Sequence, residues 1–248
     1  MDEEVLTKKR LSELYKRAFS RGSYEYSDFL NIYEQSLLKD SVPDGGYTLD
    51  GGYVNAERLV SCFGSEEEFG YPPYPPIVCI KISPRGAKFS EELTHRDFLG
   101  ALMNLGIKRE KLGDILLCGS DAYLFCIETV SDFICKSLDR VRHTAVECGV
   151  ADCIPEQLNE LPETERIVVS SERLDALISA VYKLSRAEIL RYFAQNKVYV
   201  NGRNIISPDE RASDGDIVSV RGLGRFIYCG MQSETKKGRL AVGVRIYK

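Results

Sequence analysis

SSERLDALISAVYKLSRAEILRYFAQNKVYVNGRNIISPDERASDGDIVSV, residues 170–220, carries the densest local structure in the chain. Leu174, Leu177, Ile178 and Val181 recur at helical spacing, with Ser170 or Ser171 as cap. Ser185 and Glu188 stand three apart, the spacing of a capping box, and open a second helix. Ile189, Leu190 and Phe193 give that helix an apolar face to lay on the first. Asn201-Gly202, between two β-rich runs, is a strong hairpin signal. Asp214-Gly215 turns into a further strand, Asp216–Val220. The segment reads as a helix–helix–hairpin module.

Its charge sets it apart. The chain has 248 residues and a formal net charge of -4. From Ser170 onward it holds 14 Lys+Arg against 8 Asp+Glu, a balance of +6; the residues before it balance to -10. A basic end on an acidic body is the pattern of a nucleic-acid-binding module on a carrier. Arg173 and Arg186 sharpen this reading, because each is placed in the first turn of a helix. The helix dipole there favours acidic side chains by a few tenths to about 1 kcal/mol. A cation at that end suits an external anion, with backbone N–H groups and a guanidinium fork forming a phosphate clamp. The alternative for Arg186 is a structural pairing with Asp175 or Glu188. The candidate RNA-binding set is Arg173, Lys183, Ser185, Arg186, Arg191, Lys197, Asn201 and Arg203. Its lysines and flanking arginines matter collectively rather than singly.

Upstream, residues 77–154 alternate as β-α-β-β-α-β, the split ferredoxin-like pattern. Ile77–Ile82 opens it, Thr94 with Asp97 caps a helix ending near Gly106, and two strands flank Gly119-Ser120-Asp121. Ser131 is expected to cap the second helix, and Thr144–Cys148 to form the last strand. The aromatic signature of RNA-recognition motifs is absent, and Tyr123 and Phe125 are expected in the core. Lys108, Arg109 and Lys111 form a basic loop, a secondary candidate RNA contact. Residues 1–76 are expected to be mostly helical, with Ser27 capping a helix that carries Phe29, Leu30, Tyr33 and Leu37. Tyr71-Pro72-Pro73-Tyr74-Pro75-Pro76 reads as a stiff connector. Residues 155–169, polar and acidic with two prolines, read as a linker, and 170–248 as the RNA module with a β extension. The fold class is α+β and multi-domain.

RLD (173–175), SRAEI (185–189), VYVNGR (198–203) and GDIVSV (215–220) resemble the S-four RNA-binding domain, the alpha-L motif of ribosomal proteins, synthetases and pseudouridine synthases. With GGYVNAER (51–58) and HRDFLGALMNLGIKREKLGDILL (95–117), the chain resembles the bacterial YlmH proteins. It departs from them before GGY, where SVPDGGYTLD stands in place of their Thr-Pro-Phe-Leu stretch. The resemblance implies a ferredoxin-like RNA-binding middle domain, an S-four module, the large ribosomal subunit as partner, and rescue of stalled peptidyl-tRNA. That family also carries a cell-division label.

Catalytic readings find little support. No synthetase nucleotide-binding domain precedes the module, and residues 221–248 are too few for a pseudouridine synthase domain. Arg221-Gly222-Leu223-Gly224-Arg225 lacks the strand–turn–helix context of a cofactor loop. The eight cysteines form no Cys-x-x-Cys pair and there are only two histidines, His95 and His143, so neither metal nor cofactor is expected. Asp175 is expected to be structural. The sequence contains neither an apolar run of membrane-spanning length nor an apolar leader. The expectation is therefore a cytoplasmic, non-enzymatic factor. It would bind structured rRNA on the large ribosomal subunit, with tRNA as a further candidate, and an acidic N-terminal part would meet a protein or limit non-specific RNA binding. The alternative is a cell-division interaction scaffold that uses the RNA module for localisation.

Overall fold

A computed structural model describes residues 3–43, 45–86, 91–235 and 238–247, the side chains of Glu3 and Gln157 excepted. Asp44 of the glycine-rich loop, and Lys236, Lys237 and Lys248 of the basic tally, lie outside the described residues. The chain divides into two bodies, Met1–Glu160 and Leu161–Lys248.

The first body begins with α1 (Glu3–Arg21), β1 (Glu25–Leu30), α2 (Ile32–Ser41), β2 (Tyr47–Asp50), β3 (Leu59–Phe63) and the short α3 (Glu66–Phe69). Helix still predominates, but the strands form an antiparallel sheet in the order β1-β3-β2 that the mostly helical expectation lacked. Ser27 caps no helix. It lies in β1, buried, and its hydroxyl accepts from the Ser61 N–H at 2.8 Å. Phe29 and Leu30 fit a helical period only by coincidence; Asn31 with Glu34 supplies the capping box and starts α2 after them.

β4 (Ile77–Pro84), α4 (His95–Asn104), β5 (Leu112–Cys118), β6 (Asp121–Ile127), α5 (Glu128–Ser137), β7 (Arg140–Val141) and β8 (Thr144–Val150) follow. They form an antiparallel sheet in the order β5-β6-β4-β8-β7. The element order read from the sequence is present, with β7 added at the edge. Thr94 and Asp97 open α4 as expected, the Thr94 N–H and hydroxyl donating to the Asp97 carboxylate at 2.8 and 2.6 Å. Ser131, by contrast, lies inside α5 and donates back to the Glu128 carbonyl.

Strand alternation splits the sheet into two apolar faces. Ile80, Ile82, Leu124 and Cys126 pack with Phe98 and Leu102 of α4 and Ile134 of α5. Phe125 and Ile127 point the other way and are buried with Phe29 of β1 and Val60 of β3. The N-terminal sheet thus covers the face that an RNA-recognition motif would leave open, and Tyr123 and Phe125 are buried as expected. Each large side chain so buried contributes about 1.5–3 kcal/mol.

The second body contains β9 (Thr164–Val169), α6 (Leu174–Tyr182), α7 (Arg186–Ala194), β10 (Val198–Val200), β11 (Arg203–Asn204), β12 (Ile217–Val220), β13 (Gly224–Glu234) and β14 (Leu240–Tyr247). One sheet runs β11-β10-β12-β13-β14-β9. Residues 164–169 are therefore not linker, which is a correction: they pair with β14 from Leu240↔Val169 to Arg245↔Thr164. Their polar residues fit an edge strand with one face open. Leu174, Leu177, Ile178, Ile189 and Phe193 pack on Val198, Val218, Val220, Phe226 and Val244, all buried. The Asn201-Gly202 turn has φ of 49° and 76°, the primed geometry that Asn-Gly favours in a hairpin.

Candidate RNA interface

Asp175 organises the start of α6. It lies in the first turn, where the dipole favours a carboxylate, and is 4% exposed. The Arg173 guanidinium donates to both its oxygens at 3.1 Å, and Arg186 Nη2 approaches Oδ2 at 3.2 Å. This pairing raises the Arg173 pKa above its ordinary value. The arginines are thus not orphaned at helix starts, and Arg186 makes the structural pairing with Asp175 that is its alternative reading. The backbone half of the proposed clamp changes too. Leu174 N–H donates to the Glu210 carbonyl and Asp175 N–H to that of Pro208, so two of the first donors of α6 are taken by a tertiary turn.

An open pocket of about 470 Å³ lies beside this cluster. Arg173, Arg186 and Arg239 line it together with Asp175, Ser170 and Ser171. Three arginines and one carboxylate line it, a local excess of positive charge. Arg186 is well exposed, with 69% of its side-chain surface accessible. Arg239 comes from the end of the β13–β14 hairpin, far along the sequence. Its only sequence signal is its place after Lys236-Lys237-Gly238.

The other candidates divide by what their side chains do. Lys183 closes α6 in the left-handed conformation and is exposed, as are Arg191 and Arg203. Lys197 lies 5.7 Å from the centre of the Tyr192 ring. Ser185 is engaged in the capping box with Glu188: its hydroxyl and N–H donate to the Glu188 carboxylate, and the Glu188 N–H donates back at 3.3 Å. Asn201 is engaged likewise. Its amide donates to Asp216 at 2.8 Å and accepts from the Ile217 N–H at 3.0 Å. These two residues hold the scaffold on which the cations are displayed.

In the first body the secondary loop is largely inward-facing. Arg109 donates to the carbonyls of Leu112 at 2.7 Å and Gly113 at 3.2 Å; burial, with Arg58 beside it, pushes its pKa down to about 10. Lys111 is ion-paired with Asp28. Lys108 alone of the three is exposed. The reading of 108–111 as an RNA-facing basic loop is corrected to this extent.

GGYVNAER proves to be a structural clasp. The Tyr53 hydroxyl donates to Asp114 at 2.9 Å and the Glu57 N–H at 2.6 Å. Arg58 donates to the carbonyls of Leu112 at 2.8 Å and Phe29 at 2.9 Å. Gly52 has φ +86°, and a Cβ there would stand 2.6 Å from the Phe125 ring, so only glycine fits. Among the described residues, no group of His, Cys, Asp and Glu is placed to hold a metal ion. No helix among them is long and apolar enough to cross a membrane.

One family and two known proteins are similar to this chain. Residues 77–153, which span β4 to β8, match the family described as "Putative RNA-binding domain in YlmH". The chain is 28% identical over 224 residues to the "Ribosome-associated protein quality control protein P2" of Bacillus subtilis, covering 87% of this chain and 84% of that one. A solved structure, "Cell division protein ylmH from Streptococcus pneumoniae", is 22% identical with a TM-score of 0.48, over 61% of this chain and 92% of its own. The β-α-β-β-α-β body at 77–153 is thus similar to the domain that this family model describes.

Proposed function

We propose that this protein is a non-enzymatic, ribosome-associated factor that docks on structured rRNA of the large subunit, with tRNA as a further partner, in ribosome-associated quality control. The carrying observation is the meeting of Arg173, Arg186 and Arg239 at one open pocket, in the body whose sequence resembles the S-four domain. Guanidinium forks match phosphate oxygens and, unlike lysine, hold a planar bidentate geometry. Asp175 orients two of the forks before RNA arrives, which lowers the ordering cost of binding. Lys183, Arg191, Lys197 and Arg203, on the same body, add to its positive field. The relative's name, a ribosome-associated quality-control protein, supports the choice of ribosomal RNA.

The test is co-sedimentation of the full chain with purified large ribosomal subunits. Arg186→Ala with Arg239→Ala is the informative variant, because Arg173 still holds Asp175. It is expected to leave the pellet while remaining folded; undiminished pelleting would overturn the reading.

A further inference from the structure

The helices cover one face of the β9–β14 sheet, and the other face has a composition of its own. Cross-strand pairing lines up Asn204, Tyr199, Ser219, Arg225 and Tyr247 over β11, β10, β12, β13 and β14. These positions alternate with the buried Val198, Val218, Val220 and Phe226, so they point away from the helical core. The row contains no carboxylate. Arg221, exposed at the end of β12, lies over the Tyr199 ring with its guanidinium carbon 4.7 Å from the centroid. Arg225 lies over Tyr247 at 4.2 Å. The neighbouring row, Ile217, Ile227 and Arg245, adds a further guanidinium, fixed by a 3.0 Å bond from Arg245 Nε to Thr164 Oγ1.

A guanidinium plane has two faces. A tyrosine ring takes one; the other stacks well on a nucleobase. Tyr199 and Tyr247 are three strands apart, about 14 Å at about 4.8 Å per strand. Four-stranded sheets that bind RNA use such a span to stack two or three bases. Unlike the α6 pocket, this face offers flat rings rather than a concave rim, and it suits unpaired bases.

We propose that the open sheet face is a second RNA contact that stacks unpaired bases of a single-stranded segment on the Tyr199–Arg221 and Tyr247–Arg225 pairs, with Arg245 meeting the backbone. The proposal rests on the RNA-binding reading and adds a different class of RNA element to it. The sheet face lies apart from the helix starts, so the two contacts are separable by mutation.

The experiment is fluorescence anisotropy of the full chain with two labelled probes, a short single-stranded oligouridine and a hairpin of large-subunit rRNA. Tyr199→Ala with Tyr247→Ala is expected to weaken oligouridine binding by about tenfold or more. Tyr199→Phe with Tyr247→Phe is expected to retain it, since the ring and not the hydroxyl carries the guanidinium. Arg221→Ala, at an exposed site that should not disturb folding, is expected to weaken it as well. Hairpin binding should stay within about twofold in all three, because phosphate contacts at the α6 pocket are untouched. Oligouridine binding unchanged in both the Tyr199→Ala/Tyr247→Ala and Arg221→Ala variants would overturn the sheet-face contact and leave the α6 reading standing. A wild-type protein that binds neither probe would overturn both.

Discussion

The guanidinium of Arg173 donates two hydrogen bonds, each 3.1 Å, to the carboxylate of Asp175 two residues along the chain. The geometry is bidentate and one partner is buried, so Arg173 serves the fold before it serves any ligand. Arg186 reaches the same carboxylate from the next helix and is far more exposed. The pair of arginines thus divides into an inner member that fixes the helix start and an outer member at the rim.

Asp175→Asn should expose this division. It removes the charge that holds both guanidiniums and leaves a buried amide that matches them poorly. The expected cost is about 1–3 kcal/mol of stability, kept at that level because Arg186 is solvated. Urea unfolding of the second body checks it, and an unchanged midpoint would contradict the role given to Asp175.

Ser185→Ala tests the capping box. Its hydroxyl satisfies the Glu188 N–H at the start of α7, and truncation is expected to cost about 1 kcal/mol. Because the serine's polar atoms are engaged in the capping box, RNA affinity should change little once both proteins are compared well below their melting temperatures. A large drop in affinity with unchanged stability would make Ser185 a direct contact instead.

Those two residues also show what the sequence disclosed. Ser185 with Glu188 and Asn201 with Gly202 were legible because caps and primed turns are set by residues three or one apart. Ser27 was not legible, since a serine before Phe29, Leu30, Tyr33 and Leu37 fits a cap until β3 arrives from about thirty residues on to pair with its strand. β9 was hidden for the same reason: its partner β14 is about seventy residues later, and an edge strand tolerates the charges of a linker. Arg109 and Lys111 looked like a surface patch because the carbonyls of Leu112 and Gly113, and the carboxylate of Asp28, are partners that charge counting does not see. Arg239 joins the α6 pocket only through the return of the β13–β14 hairpin.

Arg58→Ala should unfasten the N-terminal sheet from the sheet of β4–β8. Its guanidinium donates to the carbonyls of Phe29 and Leu112; truncation removes that donor from Phe29 and leaves Arg109 as the side-chain donor to Leu112, at about 1–3 kcal/mol. Arg58→Lys should not restore stability, because an ammonium cannot reproduce the fork. Thermal unfolding of both variants decides, and full recovery in the lysine variant would contradict the geometry.

Asp28 predicts an acid sensitivity. Burial opposes its charge, but hydrogen bonds from Lys111 and Arg10 outweigh burial and hold its carboxyl below the usual value. A depressed carboxyl stabilises the fold above its unfolded pKa of about 3.9, and that contribution disappears as pH falls through the folded value. Asp28→Asn should therefore lower the melting temperature at neutral pH and flatten its fall below about pH 4. Parallel melting curves for the two proteins across that range would remove the ion pairs from the account.

The most direct test of the arginine rim is the affinity of the full chain for a structured large-subunit rRNA fragment, measured against salt concentration. Arg186→Ala with Arg239→Ala is expected to weaken binding and to reduce the slope of log affinity against log salt by about 1 for each phosphate that is no longer neutralised. An unchanged affinity and slope in a folded variant would contradict the claim that these arginines meet RNA.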